Sequence, residues 1–379
     1  MSSHRKSDLL HTPEGVWDHY GKDYQEYLTT QNRILEQMHR FGYEDIKTPT
    51  FEFFDVFSRE IGSTPDQELY KFFDKENNTL VLRPDFTPGV ARCVAKYYAD
   101  ETAPIRFCYE GSAFANTKGL QGRLHESTQM GAECMNCDCA KVDAEMIALL
   151  VLCLQAAGLS DFQVTVGNVE YFRGICDAAG IDGETEEELR DYISGKNFFA
   201  AEDLLKSRNV PEEYRQHFLG INDFLKNGQE LEKVLSAAPN ERSRGAILRL
   251  QEVYKVLEMY GAERYVSFDL SLLSRYHYYT GIVFKGYTVG VGDVIATGGR
   301  YDRLLEYFGK RAAAVGFMIP VDTLMEALRA QKIRIDTPAA PETVYYTEEN
   351  FQSVLSDVQK RRAAGERIRL VKAGHDKEA

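Results

Sequence analysis

Two rhythms of apolar positions alternate along the chain, one helical and one of period two, and their order predicts a mixed fold. Ile34, Met38 and Phe41 recur at helical spacing within residues 22–41, and Gly42 stands where that helix should end. The extended run from Ile46 to Glu52 follows, then two short strands, Glu68–Phe73 and Thr79–Arg83, around turn residues 74–78. Thr87-Pro88-Gly89 opens a helix with Thr87 as its expected N-cap. Ile105–Tyr109 and a stretch near His125–Glu133 predict strands, separated by a polar, glycine-containing loop at 116–122. Val142, Met146, Leu149, Leu150, Cys153 and Leu154 share one broad helical face, and Phe162–Val166 alternates as a half-buried strand.

From Glu170 to Gly261 the pattern turns wholly helical, with an apolar stripe at Ile247, Leu250, Tyr254 and Leu257, which predicts a helical insert. Strands return at Val266–Leu270, Ile282–Tyr287 and Asp293–Ala296. A helix near Tyr301–Phe308, a strand from Ala314 to Ile319 and a helix over Val321–Gln331 complete this part. Residues 331–342 read as a linker, with prolines and paired alanines. Beyond it, 343–379 predicts a β-α-β segment too small to bury both faces of its own sheet.

Composition narrows the function. With 379 residues, 45 Lys+Arg and 58 Asp+Glu, the net charge is −13, which gives no general electrostatic reason to hold nucleic acid. Seven cysteines, an odd number, argue for reduced thiols and not a disulfide framework. The opening residues carry no apolar signal core, and the apolar run Met146–Leu159 is interrupted by Gln155 and too short to span a bilayer. A cytoplasmic protein without a membrane partner is expected.

Several strings carry candidate chemistry. Cys134, Cys137 and Cys139 lack the second Cys/His pair of a structural zinc site, and His125 lies on a separate stretch, so no metal is expected. Gly290-Val-Gly292 has the wrong spacing for a dinucleotide loop and reads as a hairpin turn. Gly298-Gly-Arg-Tyr-Asp302 reads as a strand-to-helix joint, either a close backbone approach to a ligand or a structural turn. Arg123, His125, Ser127, Gln129, Gly131 and Glu133 share one strand face too polar for a core, facing solvent or a wet pocket. Arg83-Pro-Asp85-Phe-Thr87 adds a carboxylate and a hydroxyl. Tyr276, His277, Tyr278 and Tyr279 suit either a small-ligand wall or the cover of a sheet edge.

In this order, over roughly residues 12–330, these strings resemble the catalytic core of the histidyl-tRNA synthetase family. Thr48–Glu52 is similar to its dimer-forming motif, Leu82–Thr87 to its amino-acid-binding turn, and Tyr109–Glu133 to its motif 2. Tyr278–Phe284 is similar to its tyrosine motif, and Gly298–Asp302 with Val315–Leu324 to its glycine string and motif 3. The resemblance implies an α+β class II aminoacyl-tRNA synthetase-like core at 1–330. That core would be a mostly antiparallel sheet flanked by helices, with the helical insert at 170–261 and the short C-terminal β-α-β beyond. It further implies dimers through residues 22–54.

Three departures bear on activity. Where the family places arginines that grip the ATP phosphates or meet the amino-acid carboxylate, this chain has Ala115, Ser274 (with Arg275 one residue late) and Thr323. Removing one preorganised donor costs about 2.7–4 kcal/mol of transition-state stabilisation, so three losses leave no adenylation site. The amino-acid side is retained: Asp85, Thr87, Gln129, Glu133, Tyr278 and Tyr279 match positions that hold histidine. In the family's terms, Asp85, Thr87 and Gln129 receive the α-ammonium, while Glu133 and a tyrosine hydroxyl hold the imidazole. Arg123 or Arg275 is the candidate replacement for the missing cation.

A synthetase-like chain with these losses and no full tRNA-binding domain resembles the family of ATP phosphoribosyltransferase regulatory subunits. That resemblance implies no catalytic residue and no cofactor. It implies assembly with the short-form catalytic subunit as a hetero-octamer, service to the first step of histidine synthesis, and a part in feedback control by histidine. Whether histidine binds this chain or its partner stays open. Two other readings also stay open: a divergent ligase that uses Arg83, Arg123 and Arg300 on ATP, and a pseudo-synthetase that senses tRNA, which the acidic charge disfavours.

Overall fold

Helix α1 (Gly21–Arg40) forms because Tyr27, Ile34 and Met38 make one buried stripe, and Gly42 turns the chain out of it at a φ of +77°. These features belong to a computed structural model that describes residues 10–57, 64–117, 124–221, 224–225, 227–273 and 279–374. The chain divides into two units, one of residues 10–19 with Tyr27–Ile335 and one of Tyr20–Glu26 with residues from Asp336 onward.

In the larger unit, β1 (Glu44–Asp45) precedes a small antiparallel sheet of β2 (Phe51–Phe53), β3 (Lys71–Phe73) and β4 (Thr79–Leu82), with β4 in the middle. Helix α2 (Thr87–Tyr97) follows. Thr87 is its first helical residue and not its cap. Phe86 holds the cap position and has no side-chain group to bond there, while the Thr87 hydroxyl is spent on the buried Glu133 carboxyl. Strands β5 (Ile105–Phe114) and β6 (Glu126–Met135) pair antiparallel over ten residues each. Helix α3 (Ala140–Ala157) is buried over most of its circumference and ends at Gly158, in the left-handed region.

After β7 (Phe162–Asn168) come α4 (Val169–Ala179), α5 (Gly183–Ser194), α6 (Phe198–Ser207) and α7 (Glu212–Gly220). The insert is not purely helical. Strand β8 (Phe224–Leu225) interrupts it before α8 (Gly228–Ala237) and α9 (Glu241–Tyr260), pairing antiparallel with β9 (Val266–Asp269). Two residues are too few to display a period of two, so the pattern could not reveal it.

Strands β10 (Ile282–Thr288), β11 (Ala296–Arg300) and β12 (Ala314–Pro320) and helix α10 (Val321–Ala330) close the unit. Among the described residues, nine strands form one sheet in the order β1-β5-β6-β12-β11-β10-β7-β9-β8. It is antiparallel except for the pairs β1–β5 and β7–β9. Helix α3 packs on β12 and on α9, so the insert shares the core of the sheet.

Gly298 and Gly299 lie inside β11 and not at a strand-to-helix joint, and the strand begins at Ala296 instead of Asp293. A side chain is barred there by neighbours. A Cβ on Gly298 would stand 2.5 Å from the Phe284 ring, and one on Gly299 would stand 2.6 Å from the Tyr279 ring. The helix expected near Tyr301–Phe308 is a short 3-10 segment, Leu304–Phe308.

The smaller unit contains β13 (Glu342–Tyr346), α11 (Phe351–Ala363) and β14 (Ile368–Lys372), its strands parallel and its helix pinned by Val358 and Ile368. Among the described residues, no helix is long and apolar enough to cross a membrane.

Beneath the large sheet, Arg300 is locked into a buried ion cluster. Its Nε lies 3.1 Å and its Nη2 2.5 Å from Asp143 Oδ1, while Nη1 donates to Asp302 and to the Cys137 carbonyl, both at 2.9 Å. Arg249 Nε meets the other Asp143 oxygen at 2.7 Å. Removing one member of such a cluster strands the other charge in low dielectric. Asp143→Ala should therefore lose about 3–5 kcal/mol in urea unfolding; a loss below about 1 kcal/mol, the surface-pair range, would contradict this account.

Candidate functional site

The site grows around one carboxyl. Glu133 sits on β6 between its cross-strand neighbours Phe107 and Gly316 and is 1% exposed. Thr87 Oγ1 donates to Oε1 at 2.8 Å, the Tyr301 hydroxyl donates to Oε2, and the Tyr109 hydroxyl adds a further bond. Space for Oε2 exists because residue 316 is glycine; a Cβ there would stand 1.6 Å from it. Alternation along β6 aims Gln129 and Glu133 at the same space, and the first turn of α2 brings Thr87 to it.

Asp85, in the loop before α2, accepts the backbone N–H of Thr87. Burial pushes its carboxyl up to about 7, that hydrogen bond opposing. Burial also pushes Glu133 up to about 8, against the bonds from Tyr301 and Thr87 that favour the charged form. Tyr109 stacks on Phe86 with ring centres 4.4 Å apart, and the Arg83 guanidinium lies 4.0 Å from the centre of the Phe86 ring. Arg83 donates to the carbonyls of Ser112 at 2.7 Å, Thr48 at 2.9 Å and Pro49 at 3.3 Å. It is therefore a structural cation.

Asp85, Thr87, Tyr109, Gln129, Glu133 and Tyr301, but not Arg83 or Phe86, line a cavity of about 120 Å³ together with Tyr279, Thr297 and Phe317. That is less than the roughly 300–1,000 Å³ of a drug-sized pocket, and it suits a molecule of amino-acid size. Gln129 Oε1 is buried and finds no hydrogen-bond partner among the described residues. A ligand N–H is the natural complement of such an acceptor.

Five residues expected from the sequence meet here: Asp85, Thr87, Gln129, Glu133 and Tyr279. Arg123 and Tyr278, like Ser274 and Arg275, lie outside the described residues. His125 does not join the cavity; its Nδ1 is 3.0 Å from the Tyr70 hydroxyl. Cys134 is buried in β6 at the far end from His125, and Cys139 is exposed, so these thiols and that imidazole form no common cluster. Sequence reasoning missed Tyr109 and Tyr301, which anchor Glu133. Tyr301 stands two residues after the paired glycines of β11, past Arg300, and that was the available signal.

A profile of the histidyl-tRNA synthetase family matches residues 15–324. The chain is 35% identical, over 94% of its length and 85% of the relative's, to an ATP phosphoribosyltransferase regulatory subunit of Acetivibrio thermocellus. The chain belongs to this family. A second such regulatory subunit, from Clostridium kluyveri, is 32% identical over 97% of this chain and 94% of its own. A solved structure described as an ATP phosphoribosyltransferase regulatory subunit/histidyl-tRNA synthetase from Bacillus halodurans superimposes with a TM-score of 0.89 at 30% identity, covering 98% of this chain and 95% of that one. A histidyl-tRNA synthetase from a Nostoc species, at 19% identity and a TM-score of 0.80, shares the fold. With this membership, the role of the chain is that of a regulatory subunit in histidine biosynthesis, on a class II synthetase-like fold.

Two predictions follow from the packing and the titration of Glu133. Gly316→Ala should evict the Glu133 carboxyl and cost about 1–3 kcal/mol, the range for an overpacked interior, read by thermal or urea unfolding. For pH, the native carboxyl at about 8 lies above its ordinary 4.5. Its contribution to stability is complete below 4.5 and is lost as pH rises toward about 8, because the unfolded chain releases this proton first. Stability measured from pH 5 to 8 should fall less steeply in Glu133→Gln than in the parent; equal slopes would remove Glu133 as the titrating group.

Proposed function

We propose that this chain makes no bond itself and works by assembling with a separate ATP phosphoribosyltransferase catalytic subunit in the cytoplasm. We further propose that its Glu133 cavity receives histidine. The observation that carries the reading is the contrast between the two charges at the site. Two carboxyls and an acceptor amide face the cavity, while Arg83 and Arg300, two cations a divergent ligase would recruit, are committed to carbonyls and to Asp143. Such a cavity favours a ligand that brings ammonium and ring N–H groups over one that brings a triphosphate.

In this reading Asp85, Thr87 and Gln129 take the α-ammonium, and Glu133 with a tyrosine hydroxyl, from Tyr278 or Tyr279, takes the imidazole. Arg123 supplies the cation for the carboxylate. Histidine then acts by linkage: it shifts the population between quaternary states of the hetero-octamer for which it has different affinities. Self-association as a dimer through residues 22–54 and the domain scheme of core, linker at 331–342 and C-terminal segment complete the proposal.

Mixing the chain with a short-form catalytic subunit should give co-elution and a gain in phosphoribosyl transfer, whereas the chain alone should show no amino-acid-dependent pyrophosphate exchange. Exchange by the chain alone would establish the ligase reading instead. Calorimetry should detect histidine binding that is weakened at least tenfold in Glu133→Ala. Because an ammonium beside Asp85 lowers a carboxyl that stands at about 7 in the empty cavity, binding at pH 7 should release protons. Heats measured in buffers of different ionisation enthalpy read that release. The absence of histidine binding with intact co-elution would separate the cavity assignment from the regulatory role.

A further inference from the structure

At the β1 edge of the sheet, the last turn of α1, strand β1 and strand β5 bring together His39, Asp45 and Cys108. Asp45 and Cys108 are register partners across the parallel β1–β5 pair, which aims their side chains to one face. His39 Nε2 lies 3.0 Å from Asp45 Oδ1, Cys108 Sγ lies 3.6 Å from the same oxygen, and all three donor atoms fall within 4.8 Å of one another. We propose that this triad is a binding site for a divalent ion of the zinc class, independent of the Glu133 cavity.

The geometry supports it. With zinc bonds of about 2.0–2.1 Å to nitrogen, 2.0–2.2 Å to oxygen and 2.3 Å to sulfur, tetrahedral coordination sets donor separations of roughly 3.4 Å for N···O and 3.6 Å for O···S. The observed 3.0 and 3.6 Å match these within a rotamer adjustment. The donor set also selects the ion. Imidazole, thiolate and carboxylate together suit zinc or cobalt, whereas magnesium and calcium take oxygen ligands.

The Cys108 residue is fully buried, while the side chains of His39 and Asp45 are 43% and 68% exposed. An ion would thus be sealed on its inner side and keep an outward position for water, the three-ligand arrangement of open zinc sites. Binding converts the Cys108 thiol to a metal thiolate and releases its proton to solvent, with no change of oxidation state. Bound there, the ion cross-links α1, the two-residue edge strand β1 and β5.

The test titrates cobalt(II), then zinc, into the full chain after chelator treatment under reducing conditions. One equivalent of cobalt should produce a thiolate-to-cobalt charge-transfer absorption that zinc displaces. Cys108→Ser should abolish that band. His39→Ala and Asp45→Ala, exposed in the single chain, should each weaken cobalt binding about tenfold or more in protein whose fold and oligomeric state match the parent. A Cys137→Ser/Cys139→Ser double variant should bind as the parent does. No charge-transfer band, a band that survives in Cys108→Ser, or affinity indifferent to both exposed substitutions would overturn the site.

Discussion

The hydrogen-bonded burial of the Glu133 carboxyl is the constraint on which the candidate site rests. One carboxyl draws Thr87 from the start of α2, Tyr109 from β5 and Tyr301 from the end of β11 onto β6, and it occupies the space that Gly316 leaves on β12. An isolated charge at such depth is prohibitively costly, so the group holds its proton to higher pH and relies on directed hydroxyl donors. Those donors fix where the strands and the helix stand relative to one another. The cavity is what remains once they are satisfied.

Charge of the other sign is arranged on the opposite principle. Arg300 and Arg83 are both buried and both engaged, the first by Asp143, Asp302 and a carbonyl, the second by three carbonyls through Nε and Nη1 and by the Phe86 ring. Guanidinium groups so held stiffen the frame around the site and are not available to a phosphate chain. On a class II synthetase-like fold, these two cations thus serve the architecture. This fits membership in a family of regulatory subunits.

Much of this was legible in the chain. Period-two strands and the broad face of α3 announced themselves, because burial on one side leaves a pattern that backbone geometry dictates. Asp85, Thr87, Gln129 and Glu133 came together as a set through the resemblance to the synthetase family, whereas the polar face of β6 alone left solvent or a wet pocket open. What escaped depended on contacts distant in sequence. Gly298 and Gly299 read as a loop signal, yet they lie in a central strand because Phe284 and Tyr279 occupy their side-chain space. Thr87 read as a cap, yet a carboxylate 46 residues away claims its hydroxyl. Strand β8 is too short for any pattern, and the acceptor roles around Arg83 are played by carbonyls, which leave no trace in residue identity.

The glycines of β11 and β12 give the cavity a wall of bare main chain. Ligand preference is usually retuned by exchanging one lining side chain for another, but at Gly298, Gly299 and Gly316 there is no side chain to exchange, and any addition collides with what already fills the space. Along that wall, drift by single substitutions is a one-way street: it can close the chamber but cannot redirect it. A chain of this kind would come to recognise a different small molecule by changes at the side chains that line the cavity elsewhere, among Asp85, Gln129, Thr297 and Phe317.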